Sequence, residues 1–85
     1  MAKVVLGPEH DRRLIRAAKW ALHKAGGRRI DRKWFVIGSQ EIFEQRWLTA
    51  SGLVTLEAET YMGLVIDGPD EVVAQVSALI AGRLR

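Results

Sequence analysis

Residues 40–59, QEIFEQRWLTASGLVTLEAE, decide the fold. The second half is unambiguous: after Leu53, Val54, Leu56 and Ala58 alternate with Thr55, Glu57 and Glu59, the period-two pattern of a strand with one buried and one wet face. The first half fits neither period cleanly. Phe43 and Trp47 share a strand face, whereas a helix scatters Ile42, Phe43, Trp47 and Leu48 around its axis. Ala50-Ser51-Gly52 supplies a hairpin connection into the next strand, so residues 40–49 are read as its strand partner.

Outward from this hairpin, Trp34-Phe35-Val36-Ile37 reads as a further strand whose aromatic and β-branched run suits a mostly buried sheet position. On the other side Gly63 marks a turn or bulge before the strand Leu64-Val65-Ile66. Asp67-Gly68-Pro69-Asp70-Glu71 then carries helix-start chemistry, Pro in the first turn and acids near the positive end of the dipole. A last helix over about Pro69 to Ala81 buries Val72, Val73, Val76, Leu79 and Ile80, leaving Ala74, Ala78 and Ala81 as a small-residue stripe for packing against a neighbouring helix. At the other end, Val4 to Leu6 reads as a short strand and Gly7-Pro8-Glu9 as a second helix start. That helix spans about Pro8 to Ala25 and stops at Gly26-Gly27, with Arg28-Arg29-Ile30-Asp31-Arg32 as a polar connector.

The order β-α-β-β-β(-β)-α predicts an α+β two-layer sandwich with both helices on one face of a mainly antiparallel sheet. The first strand is expected to join in parallel through a right-handed crossover. Eighty-five residues (1–85) make a single small domain, since halving them leaves neither part a sufficient core. With 48% hydrophobic and 27% charged residues the chain lies outside the composition of disorder. It has no cysteine, hence no disulfide framework and no thiol nucleophile. The opening Met1 to Pro8 is too short an apolar run for a signal peptide and nowhere do about 18 apolar residues run together, so a soluble cytoplasmic protein is expected.

Charge is divided along the chain. Residues 1–33 hold ten of the thirteen Lys and Arg against three acids, a balance of +7, and residues 34–85 hold three Arg against seven acids, a balance of −4. Laid out at about 100° per residue, the first helix places Leu14, Ile15, Ala18, Ala21, Leu22 and Ala25 on one stripe and Arg12, Arg13, Arg16, Lys19, His23 and Lys24 on the opposite face. Trp20 falls inside the basic face. An indole among cations has three accounts. It can be covered by another segment with Arg16 or Lys24 stacked on the ring, it can enter a pocket on a protein partner, or it can stack on an unpaired base while the cations neutralise phosphates.

The remaining candidates form no catalytic constellation. His10 and His23 lie nearly 20 Å apart along the proposed helix and cannot share a metal. Ser39, Ser51 and Ser77 lack a nucleophile-elbow context, and no glycine-rich phosphate loop follows a strand. Glu57 and Glu59 point the same way from one strand, but alternating polar residues on an open sheet face need no cation. The element order invites comparison with the double-stranded-RNA-binding domain, yet the last helix begins with Pro69-Asp70-Glu71 where that family is basic, and Gly26-Gly27-Arg28-Arg29 is not a Gly-x-x-Gly clamp. The sequence therefore points to a non-enzymatic protein-interaction module without metal or cofactor. It would bind an acidic protein surface through Arg12, Arg13, Arg16, Lys19, Trp20, His23, Lys24, Arg28 and Arg29. Nucleic-acid binding through the same face is the alternative, membrane binding ranks below both, and the chain is expected to be a monomer or to self-associate weakly through the Glu57/Glu59 strip.

Overall fold

A computed structural model describes residues 1–84. The chain runs β1 (Ala2–Gly7), α1 (Arg12–Lys24), β2 (Arg28–Ile37), β3 (Gln40–Thr49), β4 (Gly52–Glu59), β5 (Gly63–Gly68) and α2 (Asp70–Arg83). The strands form one sheet in the order β1-β5-β4-β3-β2, and the helices pack on one of its faces, an α+β two-layer arrangement. Residues 40–59 form the β3–β4 hairpin, with Phe43 opposite Ala58, Gln45 opposite Leu56 and Trp47 opposite Val54. These positions face the helices. Gln45 is buried there with the Trp47 Nε1–H donating to its Oε1 at 3.1 Å, so the indole N–H and the amide oxygen satisfy each other.

Every neighbouring pair is antiparallel, including β1 with β5. The expected parallel first strand is therefore corrected: β1 and β2 run in the same direction but stand at opposite edges, and α1 carries the chain across the whole sheet between them. The reason lies in β5. Leu64 and Ile66 belong to the core, while Val65 is buried on the other face; a strand apolar on both sides belongs in the sheet interior with neighbours on both edges, and β1 supplies the second. Their closest approach falls at Gly63. Its φ is +94° and a Cβ there would stand only 2.6 Å from the Gly7 carbonyl oxygen, which leaves no place for a side chain. β1 has its register shift beside it, between Val5 and Gly7.

The second helix begins as read, at Asp70 with Pro69 as its N-cap, but α1 begins four residues after Pro8. The Asp11 N–H donates to the Pro8 carbonyl at 3.3 Å, and the Asp11 carboxylate accepts from the Leu14 N–H at 3.0 Å, so Asp11 rather than the Gly-Pro-Glu passage caps α1. Its end is as read: Gly26 has φ +84° and the Gly27 N–H returns to the Leu22 carbonyl at 2.8 Å. The expected polar connector 28–32 is already strand β2. The small residues that let the helices approach lie on α1, where Ala17, Ala18 and Ala21 are buried. The Ala74, Ala78 and Ala81 stripe of α2, expected to meet a neighbouring helix, faces outward instead.

β2 departs furthest from its reading. Trp34, Phe35, Val36 and Ile37 are all exposed rather than buried, Trp34 at 60%. Five strands span roughly 24 Å across at about 4.8 Å each, and two helices about 10 Å wide cover roughly 20 Å, which leaves about one strand uncovered. The ten residues of β2 extend about 34 Å against about 20 Å for the thirteen of α1. The outer strand and the tip of its hairpin accordingly project beyond the helix layer.

Candidate partner-binding surface

α1 turns Leu14, Ala18, Ala21 and Leu22 to the sheet, and the 3.6-residue period sends Arg12, Arg13, Arg16, His23 and Lys24 to solvent, with Lys19 half-buried at the flank. Arg28 and Arg29, adjacent on β2, point to opposite sides of the sheet. The nine residues singled out thus divide: the α1 cations share one face and Arg29 lies on the helix side, but Arg28 projects from the open side.

Trp20 is half-buried, packed against the core, and its ring is covered by the Arg83 guanidinium at 4.3 Å from the centroid. The stacking cation comes from α2, not from Arg16 or Lys24. Arg83, Arg13 and Arg16 then line an open crevice of about 380 Å³, with Ala17 and Leu84 at its base. Arg83 had only helix-end complementarity to mark it in the sequence, because its approach to α1 is a tertiary fact. Among the described residues, Arg46 is the one Lys or Arg side chain in an ion pair, with Asp31 at 2.8 Å. The cations of α1 and the crevice therefore have no internal counter-charge among those residues.

The opposite face of the sheet is mixed. Asp31, Arg46, Thr55, Asp67 and Lys3 form one row across it, and Lys33, Glu44, Glu57, Val65 and Val5 the next. Partial burial and the neighbouring Glu59 and Glu44 push the Glu57 carboxyl above its ordinary range, with Lys3 opposing. The Arg46 hydrogen bond, chiefly, holds the Asp31 carboxyl below its own. Among the described residues no three His, Cys, Asp or Glu side chains converge as metal ligands. A separate cavity of about 280 Å³ lies between the start of α1 and the sheet, lined by Ile15 from the helix, by Trp34, Phe43, Leu56 and Leu64 from the strands, and by Glu9 and Glu41; the Glu41 Oε1 accepts from the Trp34 Nε1–H at 2.8 Å. Among the described residues no helix is long and apolar enough to cross a membrane.

No family model, curated protein or solved structure matches the chain. Chemistry is therefore read from the surface alone: donors without acceptors in an open crevice suit recognition of carboxylates or other anions.

Proposed function

We propose that the protein is a non-enzymatic interaction module that binds an acidic segment of a partner protein along the basic face of α1, centred on the Arg13, Arg16 and Arg83 crevice. The observation that carries this is that Arg13, Arg16 and Arg83 line one crevice with no acid among the described residues paired to them. Planar forked donors in an open groove match carboxylates two at a time. The role of Trp20 is then to hold Arg83 in place rather than to enter a partner's pocket, since one ring face is occupied by the guanidinium and the ring packs on the core. That occupancy favours a protein over a single-stranded nucleic acid, which needs a free ring for base stacking.

The test is a titration of the full chain with an acidic decapeptide and, separately, with a ten-nucleotide single-stranded DNA, followed by Trp fluorescence at low and physiological salt. The peptide is expected to bind more tightly, with affinity falling as salt rises, and Arg13→Glu with Arg16→Glu is expected to weaken it at least about tenfold. Tighter binding of the oligonucleotide would replace the proposal with the nucleic-acid alternative. No binding of either at low salt leaves the basic face a solvated one and ends it.

A further inference from the structure

The outer edge of β2 has no neighbour, because β2 ends the sheet, and its last four residues are apolar on both faces and exposed on both. A long apolar edge of this kind is a template for another strand. Its charge pattern identifies which strand. From Asp31 to Ile37 the pairing with β3 is regular, and the register shift between Arg29 and Asp31 ends that regularity on the other side. Within these seven residues the cations Arg32 and Lys33 lie before Trp34 and the apolar Phe35, Val36 and Ile37 after it. We infer that β2 pairs antiparallel with β2 of a second copy of this chain about a two-fold axis at Trp34, joining the two sheets into one of ten strands.

The register follows from symmetry. A two-fold axis normal to the sheet keeps each side chain on its own face, so opposed residues must share parity and the axis must pass through a residue. Placed at Trp34 it uses all seven regular positions: Lys33 opposes Phe35 of the partner subunit, Arg32 opposes the partner's Val36, and Asp31 opposes the partner's Ile37. No like charges oppose each other, and Arg32 lies diagonal to the partner's Trp34, within reach of a cation–π contact. An axis one residue earlier sets Lys33 against Lys33 of the partner subunit, and one residue later uses only five positions before the turn at Gly38. A parallel arrangement in register would set Arg32 against Arg32 of the partner subunit and Lys33 against the partner's Lys33. The helices raise no obstacle, since the helix layer stops short of β2. The contact also explains a composition otherwise misplaced at an edge: Trp34 to Ile37 are the residues of an interior strand, and pairing makes β2 one.

The chain has no cysteine, so a single introduced thiol reports the register. Opposed Cα atoms across antiparallel strands lie about 4.5–5.5 Å apart, inside the disulfide range, whereas the two copies of residue 37 would be about 20 Å apart along the strands. The native chain is expected to sediment as a dimer within about 1–300 µM. Trp34→Cys is expected to cross-link on oxidation while Ile37→Cys does not, and Val36→Lys, which sets Lys against the partner's Arg32 at a position exposed in the single copy, to raise the dimer dissociation constant at least tenfold with unchanged circular dichroism. A native chain that stays monomeric at 300 µM overturns the proposal. So does cross-linking that is no better at 34 than at 37, and so does a Val36→Lys variant that dimerises like the native chain.

Discussion

At the scale of single residues, function and stability are set by who stands opposite whom. Glu57 is partly buried, has Glu59 on its own face and faces Glu44 directly across β3 and β4, so its charged form is disfavoured in the folded state, first by burial and then by the two like charges. A carboxyl raised by folding binds its proton more tightly in the native chain, so stability falls as pH rises from the ordinary carboxylate value through the folded one, and the penalty is constant above it. Glu57→Gln is expected to stabilise the protein by about 0.2–1 kcal/mol at pH 7, the range for opposed like charges, and to change nothing well below the carboxylate range. Urea midpoints at the two pH values check this, and a gain of equal size at both would refute the charge origin. Asp31 behaves oppositely: its contribution is present above the ordinary carboxylate value and is lost as pH falls through the lowered one. Asp11→Ala is expected to cost about 1 kcal/mol by removing the bond to the Leu14 N–H, read in the same denaturation experiment.

At the scale of elements, three tryptophans on three elements meet three environments. Trp47 on β3 is 7% exposed and packed with the core, Trp20 on α1 is half-buried beneath Arg83, and Trp34 on β2 is 60% exposed. Trp47→Ala is therefore expected to cost about 3–5 kcal/mol, while Trp34→Ala at a concentration low enough for the single copy is expected to cost less than about 1 kcal/mol. Thermal denaturation of the two variants, each at a concentration where sedimentation finds only the single copy, decides it; equal losses would mean that β2 is covered in the single copy. Nothing in Trp34-Phe35-Val36-Ile37 distinguished an edge from an interior strand, because its residues suit the interior and its exposure follows from the width and length of the helix layer. Strand β4 was legible because alternation is a local signal: Val54, Leu56 and Ala58 needed no knowledge of what covers them, whereas β3 was read as a strand from the connection Ala50-Ser51-Gly52 into β4.

At the scale of the whole molecule, the division of charge along the chain becomes only a partial division of faces. The α1 cations and Arg83 occupy the helix layer, whereas the open face of the sheet carries Glu44, Glu57, Glu59 and Asp67 together with Lys3, Lys33 and Arg46. A second copy paired along β2 leaves the α1 faces of both copies free, so acidic partners could be engaged twice by one assembly. Because a dimer forms only from folded chains, the thermal midpoint is expected to rise between 10 and 300 µM protein. Calorimetry at the two concentrations reads it, and a midpoint independent of concentration speaks against the pairing.

Local patterning alone determined the α+β class, strand β4, the stop at Gly26-Gly27 and the core stripe of α2, and it left the number of strands at four or five. Each depends on the period of a few consecutive side chains or on one residue's backbone freedom. Only the tertiary structure decided that β1 lies antiparallel beside β5, that Arg83 rather than an α1 cation covers Trp20, and that β2 stands open at the edge. These depend on residues distant in the chain and on how much of a five-stranded sheet two short helices can cover, and no local period records either.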